Sequence, residues 1–237
     1  MILWMNRRLP ALLAVAVLVG ALSTGCGGGD EGGPSPEEVV RESVEATGAV
    51  ESFHLTFDSQ GIPRSTGGLQ LLGAEGDVAV PDRVRADVSG TFAGVPLTTQ
   101  LVAIGNDVWI KDPLAGVWRS VDVGTTPAFL LDPAAGVLGV MRRVEELSDE
   151  GTEDLGGVET RRLRGTVDAA DVAPLLAVSP GGGTVEATLW IGEEDRILRR
   201  VEVKGPVAEN EPDDALRVIE ISRLDEPVTV EPPEGAA

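Results

Sequence analysis

The chain is poor in the residues that usually carry chemistry: one cysteine, one histidine and no tyrosine in 237 residues, with aromatics at only 3%. A single thiol cannot close an intramolecular disulfide, so the fold must stand on its apolar core. The lone histidine, His54, has no Ser or Asp spaced around it as a triad requires, and reads as a surface or hydrogen-bonded sheet residue. HExxH, CxxC, GxSxG and GxxxxGKS/T are absent, which removes the corresponding zinc, redox, hydrolase and phosphate-binding arrangements. Basic charge is scarce: 19 Lys and Arg stand against 39 Asp and Glu, a formal net charge of −20. Such a surface repels phosphate backbones and anionic headgroups, which argues against nucleic acid and against polybasic membrane contact; solubility alone also accounts for it. No uninterrupted apolar run reaches the about 20 residues of a membrane span.

The longest apolar run, Leu9 to Leu22, is almost wholly Ala, Leu and Val. It follows Arg7 and Arg8 and ends in Ser23, Thr24 and Gly25. That order resembles a bacterial secretory signal over residues 1–25. Cys26, between Thr24-Gly25 and the glycines 27–29, resembles the acylation site of bacterial lipoproteins, with Ser23 where a leucine is usual and Leu22 one place further back. The resemblance implies an acylated Cys26 that begins the mature chain and anchors it to the outer leaflet of the cell membrane. The other reading is a secreted chain with a free thiol. Several acyl chains on one residue hold firmly where a single chain is marginal. Loss of residues 1–25 removes two arginines and no acid, moving the net charge from −20 to −22.

Residues 26–36, the cysteine and a Gly/Pro/Ser/acid stretch, read as a flexible tether. Ser35, Pro36 and Glu38 then form a helix start of capping-box type, with Val40, Val44 and Thr47 on one face. Phe53, Leu55 and Phe57 alternate with His54, Thr56 and Asp58, the pattern of a half-buried antiparallel strand. Turn signals at Pro81-Asp82, Ala93-Gly94, Gly105-Asn106-Asp107 and Asp112-Pro113 divide residues 53–121 into six or seven short strands. Helical periodicity returns with Val137, Val140, Met141, Val144 and Leu147 opposite Arg142, Arg143, Glu145 and Glu146. Strands are expected over 158–167, 185–191 and two further segments. Between them Asp171 is placed to cap a short helix carrying Leu175 and Leu176, and residues 231–237 should be loose. About ten strands and three or four helices make an α+β plan: a large curved sheet with one face covered by amphipathic helices.

Acidic pairs such as Glu193-Glu194 and Asp213-Asp214 fall in predicted turns without the alternating oxygen ligands of a calcium loop, and read as solvated. The "SPGGGT" stretch has no lysine and reads as a loop. Neither catalytic nor metal-ligating residues are found, and no cofactor is expected, which points to a binding or carrier protein. Two readings of the Val-, Leu-, Ala- and Gly-rich core remain: small side chains draw the layers together, or they leave an apolar hollow able to accept hydrocarbon.

The phrases "GNDVWIKDPLAGVWRSV", "FLLDPAAGVLGVMRRVEEL", "GGVETRRLRGTVDAADVAPLL" and "TVEATLWIGEEDRILRRVEVKG" occur in this order behind the cysteine and tether. Over roughly residues 37–230 the chain resembles the LppX/LprAFG family of actinobacterial lipoproteins. That resemblance implies a strongly bent antiparallel half-barrel, LolA/LolB-like, with helices packed on its concave face around a hydrophobic cavity. It also implies the binding of acylated lipids or glycolipids and their carriage across the cell envelope, without covalent chemistry. A lipid exporter would be a further partner. The cavity candidates are Phe129, Leu130, Leu131, Val137, Leu138, Val140, Met141, Leu175 and Leu176 from the helices. Phe53, Leu55, Phe57, Val108, Ile110, Leu189 and Ile191 would supply the sheet wall. Arg142 and Arg143 either meet a headgroup at the mouth or lie on a solvated helix face. The alternative function is a structural or sensory envelope lipoprotein that binds a protein partner without lipid cargo.

Overall fold

The computed structural model describes residues 33–63, 69–121, 134, 136–176 and 178–235; the signal-like segment, Cys26 and most of the tether lie outside them. Helix α1 (Pro36–Gly48) starts where sequence chemistry places it. Ser35 Oγ accepts from the Glu38 N–H at 3.2 Å, with Pro36 in the first turn. Only this arm of the capping box is seen, because the Glu38 carboxylate pairs with Arg41 at 3.4 Å. The helix buries Val39, Val40, Ser43 and Val44, and Thr47 Oγ1 accepts from the Leu198 N–H at 2.9 Å.

Six antiparallel strands follow as a meander: β1 (Ser52–Gln60), β2 (Leu69–Ala79), β3 (Arg83–Phe92), β4 (Val95–Ile104), β5 (Asp107–Lys111) and β6 (Trp118–Ser120). The four connections from β2 to β6 fall at the sites that the Pro, Gly and Asn signals mark. Five more strands complete the sheet: β7 (Glu145–Leu155), β8 (Val158–Asp168), β9 (Thr184–Gly192), β10 (Leu198–Lys204) and β11 (Leu216–Ser222). Because β11 pairs with β1, the described residues form one curved, open, eleven-stranded antiparallel sheet, ordered β6-β5-β4-β3-β2-β1-β11-β10-β9-β8-β7.

Register assigns the faces, since directly opposed residues point the same way. Phe57, Ile219, Val201, Leu189 and Leu163 form one inward row, and Ser59, Arg217, Val203, Ala187 and Gly165 the next. The outward face carries charge in matched pairs. Arg200 meets Glu220 at 3.0 Å and stacks over Trp190 at 5.1 Å; Trp190 Nε1 in turn donates to Glu153 at 3.1 Å. Two inward glycines permit close strand approach. A Cβ at Gly76 would sit 2.1 Å from the Arg85 carbonyl, and one at Gly165 would sit 2.5 Å from that of Glu145.

The apolar stripe from Val137 to Leu147 is not one helix. Helix α2 spans only Val137–Met141, and the chain turns into β7 at Glu145. Pairing with β8, from Glu145 opposite Thr166 to Leu155 opposite Val158, outweighs the helical preference of the acidic run. The next short helix, α3 (Ala169–Val172), is capped by Asp168, whose carboxylate accepts from the Ala170 N–H at 2.8 Å, and not by Asp171. Strand β8 ends at Asp168, so the first free N–H groups lie within its reach and Asp171 falls inside the helix. A 3-10 turn, Ala173–Leu176, continues it.

The main core packs Val39, Val40 and Val44 of α1, Val140 and Met141 of α2, and the α3 side chains against β8 to β11. A smaller cluster of Val78, Val84, Ala86, Ala103 and Val108 lies under β2 to β5. After β11 the chain has neither helix nor strand up to residue 235. Val230 is nonetheless buried, with its carbonyl accepting from Arg83 Nη1 at 2.9 Å. No helix among the described residues is long and apolar enough to cross a membrane.

Two outcomes follow. Gly76→Ala should lower stability by about 1–3 kcal/mol through the backbone clash, seen as a fall in Tm. Gly182→Ala, with nothing within 4 Å of its Cβ, should leave Tm unchanged. The second concerns Asp149, which accepts from Arg161 Nε at 2.8 Å and from the Gly151 N–H at 2.8 Å; these bonds hold its carboxyl below the usual carboxylate range. The folded state therefore takes up this proton less readily than the unfolded chain. The pair contributes stability above about pH 4 and loses it as pH falls through the lowered value. Because the carboxylate is over a third exposed, Asp149→Asn should cost only about 0.2–1 kcal/mol near neutrality. That difference should vanish in strongly acidic thermal melts.

Candidate functional site

An apolar cavity lies between the inward face of the sheet and the short helices. Its floor is built by Phe57 of β1, Ala187 and Leu189 of β9, Val201 and Val203 of β10, and Arg217 and Ile219 of β11. Val137, Val140 and Met141 of α2, Val144, and then Val172, Leu175 and Leu176 form its roof. The floor follows from strand alternation. The roof follows from two elements too short to be stable helices alone, which hold together by facing the sheet with their apolar sides. Arg143 joins them, its Nε 3.6 Å from Asp171 of α3, and so pairs within the protein; Arg142 lies exposed beside it.

The cavity is narrow. Only ≈ 40 Å³ of it is wide enough for a water molecule, and one water needs about 10–15 Å³ measured that way. A second space of ≈ 520 Å³ lies on the outward face, lined by His54, Glu75, Asp77, Arg85 and the chain near Pro233 and Glu234. There His54 Nδ1 lies 2.7 Å from Asp77 Oδ1 and Nε2 3.5 Å from Glu75. Charged and open, it offers no shelter for hydrocarbon.

Seven predicted residues are brought together around the inner cavity: Phe57, Val137, Val140, Met141, Leu175, Leu176 and Leu189. Phe53, Leu55, Leu138 and Ile191 belong to the same core but do not line the space, and Val108 sits in the smaller cluster. Ile110 is half-buried on β5, opposite Leu101. Phe129, Leu130 and Leu131 lie outside the described residues.

Sequence reasoning missed the small wall residues Ala187, Val201 and Val203, and above all Arg217. The Arg217 and Glu211 side chains are 6% and 7% exposed and form an ion pair through Arg217 Nη2 and Glu211 Oε1. Glu211 Oε2 also accepts from the Val207 and Ala208 N–H groups, at 2.9 and 3.1 Å. A buried pair is tolerable only when its remaining groups are bonded. Glu211 meets that condition. Arg217 does not, since its Nη1 is buried without any acceptor. Parity along β11 carries the signal for this placement: Arg217 shares the inward phase of Ile219 and Ile221.

Among the described residues no group of three or more His, Cys, Asp or Glu is arranged to hold a metal ion. The arrangement offers an apolar compartment with one buried cation in its wall.

The fold is shared with the crystal structure of LprF from Mycobacterium bovis, at a TM-score of 0.68, 22% identity and coverage of 87% of this chain and 100% of that one. LppX from Mycobacterium tuberculosis matches at 0.60, 21%, 84% and 100%. In sequence, the lipoarabinomannan carrier protein LprG of Mycolicibacterium smegmatis is 25% identical over 205 residues, 82% of this chain and 85% of its own length. The putative diacylated glycolipid transporter LprF of Mycobacterium bovis is 26% identical over 208 residues, 78% of each. The family match runs from residue 35 to residue 230, almost the whole of the described fold, and the chain therefore belongs to the LppX_LprAFG lipoprotein family.

Proposed function

We propose that this protein is a lipid carrier that lodges the acyl chains of a lipid or glycolipid between its short helices and the inward face of its sheet. The observation that carries this reading is the apolar cavity roofed by α2, α3 and the 3-10 turn over a floor built by β1, β9, β10 and β11. Each methylene moved from water into such a space gains about 0.8 kcal/mol, so a long chain binds by burial alone while its polar head stays outside. The narrow resting width means that the roof lifts to load. Its helices have five and four residues, and Val137, Leu138, Leu175 and Leu176 are only half-buried. Elements with so few buried contacts open at low cost. The names of the relatives, a lipoarabinomannan carrier and a putative diacylated glycolipid transporter, support lipid or glycolipid as the cargo class. In the same reading residues 1–25 are a removed signal, and acylated Cys26 anchors the domain at the outer face of the cell membrane through the tether ending at residue 36. The function is physical carriage, with no covalent step.

The full chain bearing Cys26→Ser, which has no acyl anchor of its own, should retain lipid after gentle purification, seen as added mass by native mass spectrometry. A clean unliganded mass would overturn the carrier reading. Val137→Trp fills the space from the roof and should reduce lipid loading several-fold with Tm unchanged. Equal loading would remove Val137 from the cavity wall.

A further inference from the structure

The wall cation has bonding capacity that the protein leaves unused. A guanidinium carries five N–H donors in a fixed plane. In Arg217 the Nη2 side is committed to Glu211, while Nη1 is buried and has no acceptor. Glu211 cannot turn to serve it, because its other oxygen is held by the Val207 and Ala208 N–H groups. A trapped water would need two to four polar partners, and the other side chains lining the cavity are all apolar. Arg217 is itself one of the lining residues, and its neighbours in the same row, Val203 and Ala187, are small. A donor held in this way, in the wall of a compartment for hydrocarbon, is matched by an acceptor that arrives with the hydrocarbon.

Charge balance selects the acceptor. Arg217 and Glu211 already sum to zero, so a carboxylate or phosphate drawn in beside them would leave a net negative charge in apolar surroundings, which is costly. A neutral carbonyl oxygen satisfies Nη1 without that cost. In an acyl ester the carbonyl is bonded directly to the first methylene of the chain and enters the cavity with it. We propose that Arg217 Nη1 donates to the ester carbonyl of a bound acyl chain, which makes the protein selective for ester-linked lipids over ether-linked lipids and free fatty acids. This rests on the carrier reading and adds the linkage chemistry of the cargo to it.

The test compares dipalmitoylglycerol, dihexadecylglycerol and palmitate as competitors for binding to the full-length Cys26→Ser chain. Dihexadecylglycerol has the same chain length but lacks the carbonyl oxygens. The diester should bind about tenfold more tightly than the diether, the size of one hydrogen bond to a charged donor. In Arg217→Met combined with Glu211→Gln, which leaves no buried charge behind, the ratio should fall to about one while the diether binds as before. Arg217→Lys keeps a cation beside Glu211 but loses the Nη1 direction, and should also lower the ratio. Equal binding of diester and diether by the Cys26→Ser chain overturns the proposal and leaves the carrier reading standing. Palmitate outcompeting the diester, with that advantage lost in the double variant, overturns it in favour of an anion site. Failure of both glycerolipids to bind overturns it together with the carrier reading.

Discussion

A single sheet of eleven strands has two faces and only one chain with which to cover them. In a sandwich a second sheet hides the apolar side; here that task falls to a thirteen-residue helix and a few one-turn pieces. Everything distinctive about the molecule follows from this shortage of cover. Where α1 lies, Val39, Val40 and Val44 close the interior tightly. Beyond α1 the cover is fragmentary, and one inward row there includes the small residues Ser59, Ala187 and Gly165. The hollow lies where the floor built by β1, β9, β10 and β11 meets a discontinuous roof.

The same shortage divides the charges. On the outward face, open to water, Arg162, Arg200, Glu153 and Glu220 form exposed pairs and an aromatic stack, each of modest worth. In the wall of the inner cavity one cation is admitted, and it comes with a carboxylate already saturated by backbone donors. A compartment wholly without polar groups would accept any hydrocarbon equally. A single fixed donor in its wall gives position along the chain an energetic meaning.

The strands were legible because one face is buried: the phase of Phe53, Leu55 and Phe57, and the turn signals at Pro81-Asp82 and Ala93-Gly94, locate β1 to β4 to within a residue or two. The stretch after Met141 was not, because Val144 and Leu147 suit a helical stripe as well as they suit a strand, and only the pairing partner in β8 decides between them. The cap at Asp168 was not legible for a related reason: Asp171 three residues later also precedes a possible helix start, and only the end of β8 decides between the two. Of the site, the apolar roof and floor were readable from periodicity, whereas Arg217 was passed over as an ordinary charge in an ordinary strand. Its depth depends on Glu211, six residues away in a loop whose path back to β11 no local pattern records.

Among the described residues the open sheet also has two edge strands, β6 and β7, with no further strand beyond them, and an unpaired edge invites strand addition. One is cut to three residues in β6. The other, β7, is full length but carries Glu145, Glu146, Asp149, Glu150, Glu153 and Asp154 among its eleven residues, nearly all exposed. A second copy approaching this margin to extend the sheet would bring like charges to the spacing of neighbouring strands, about 5 Å. Fibre growth by strand addition is therefore opposed electrostatically, and this protection weakens as dissolved salt shortens the range over which the acids repel.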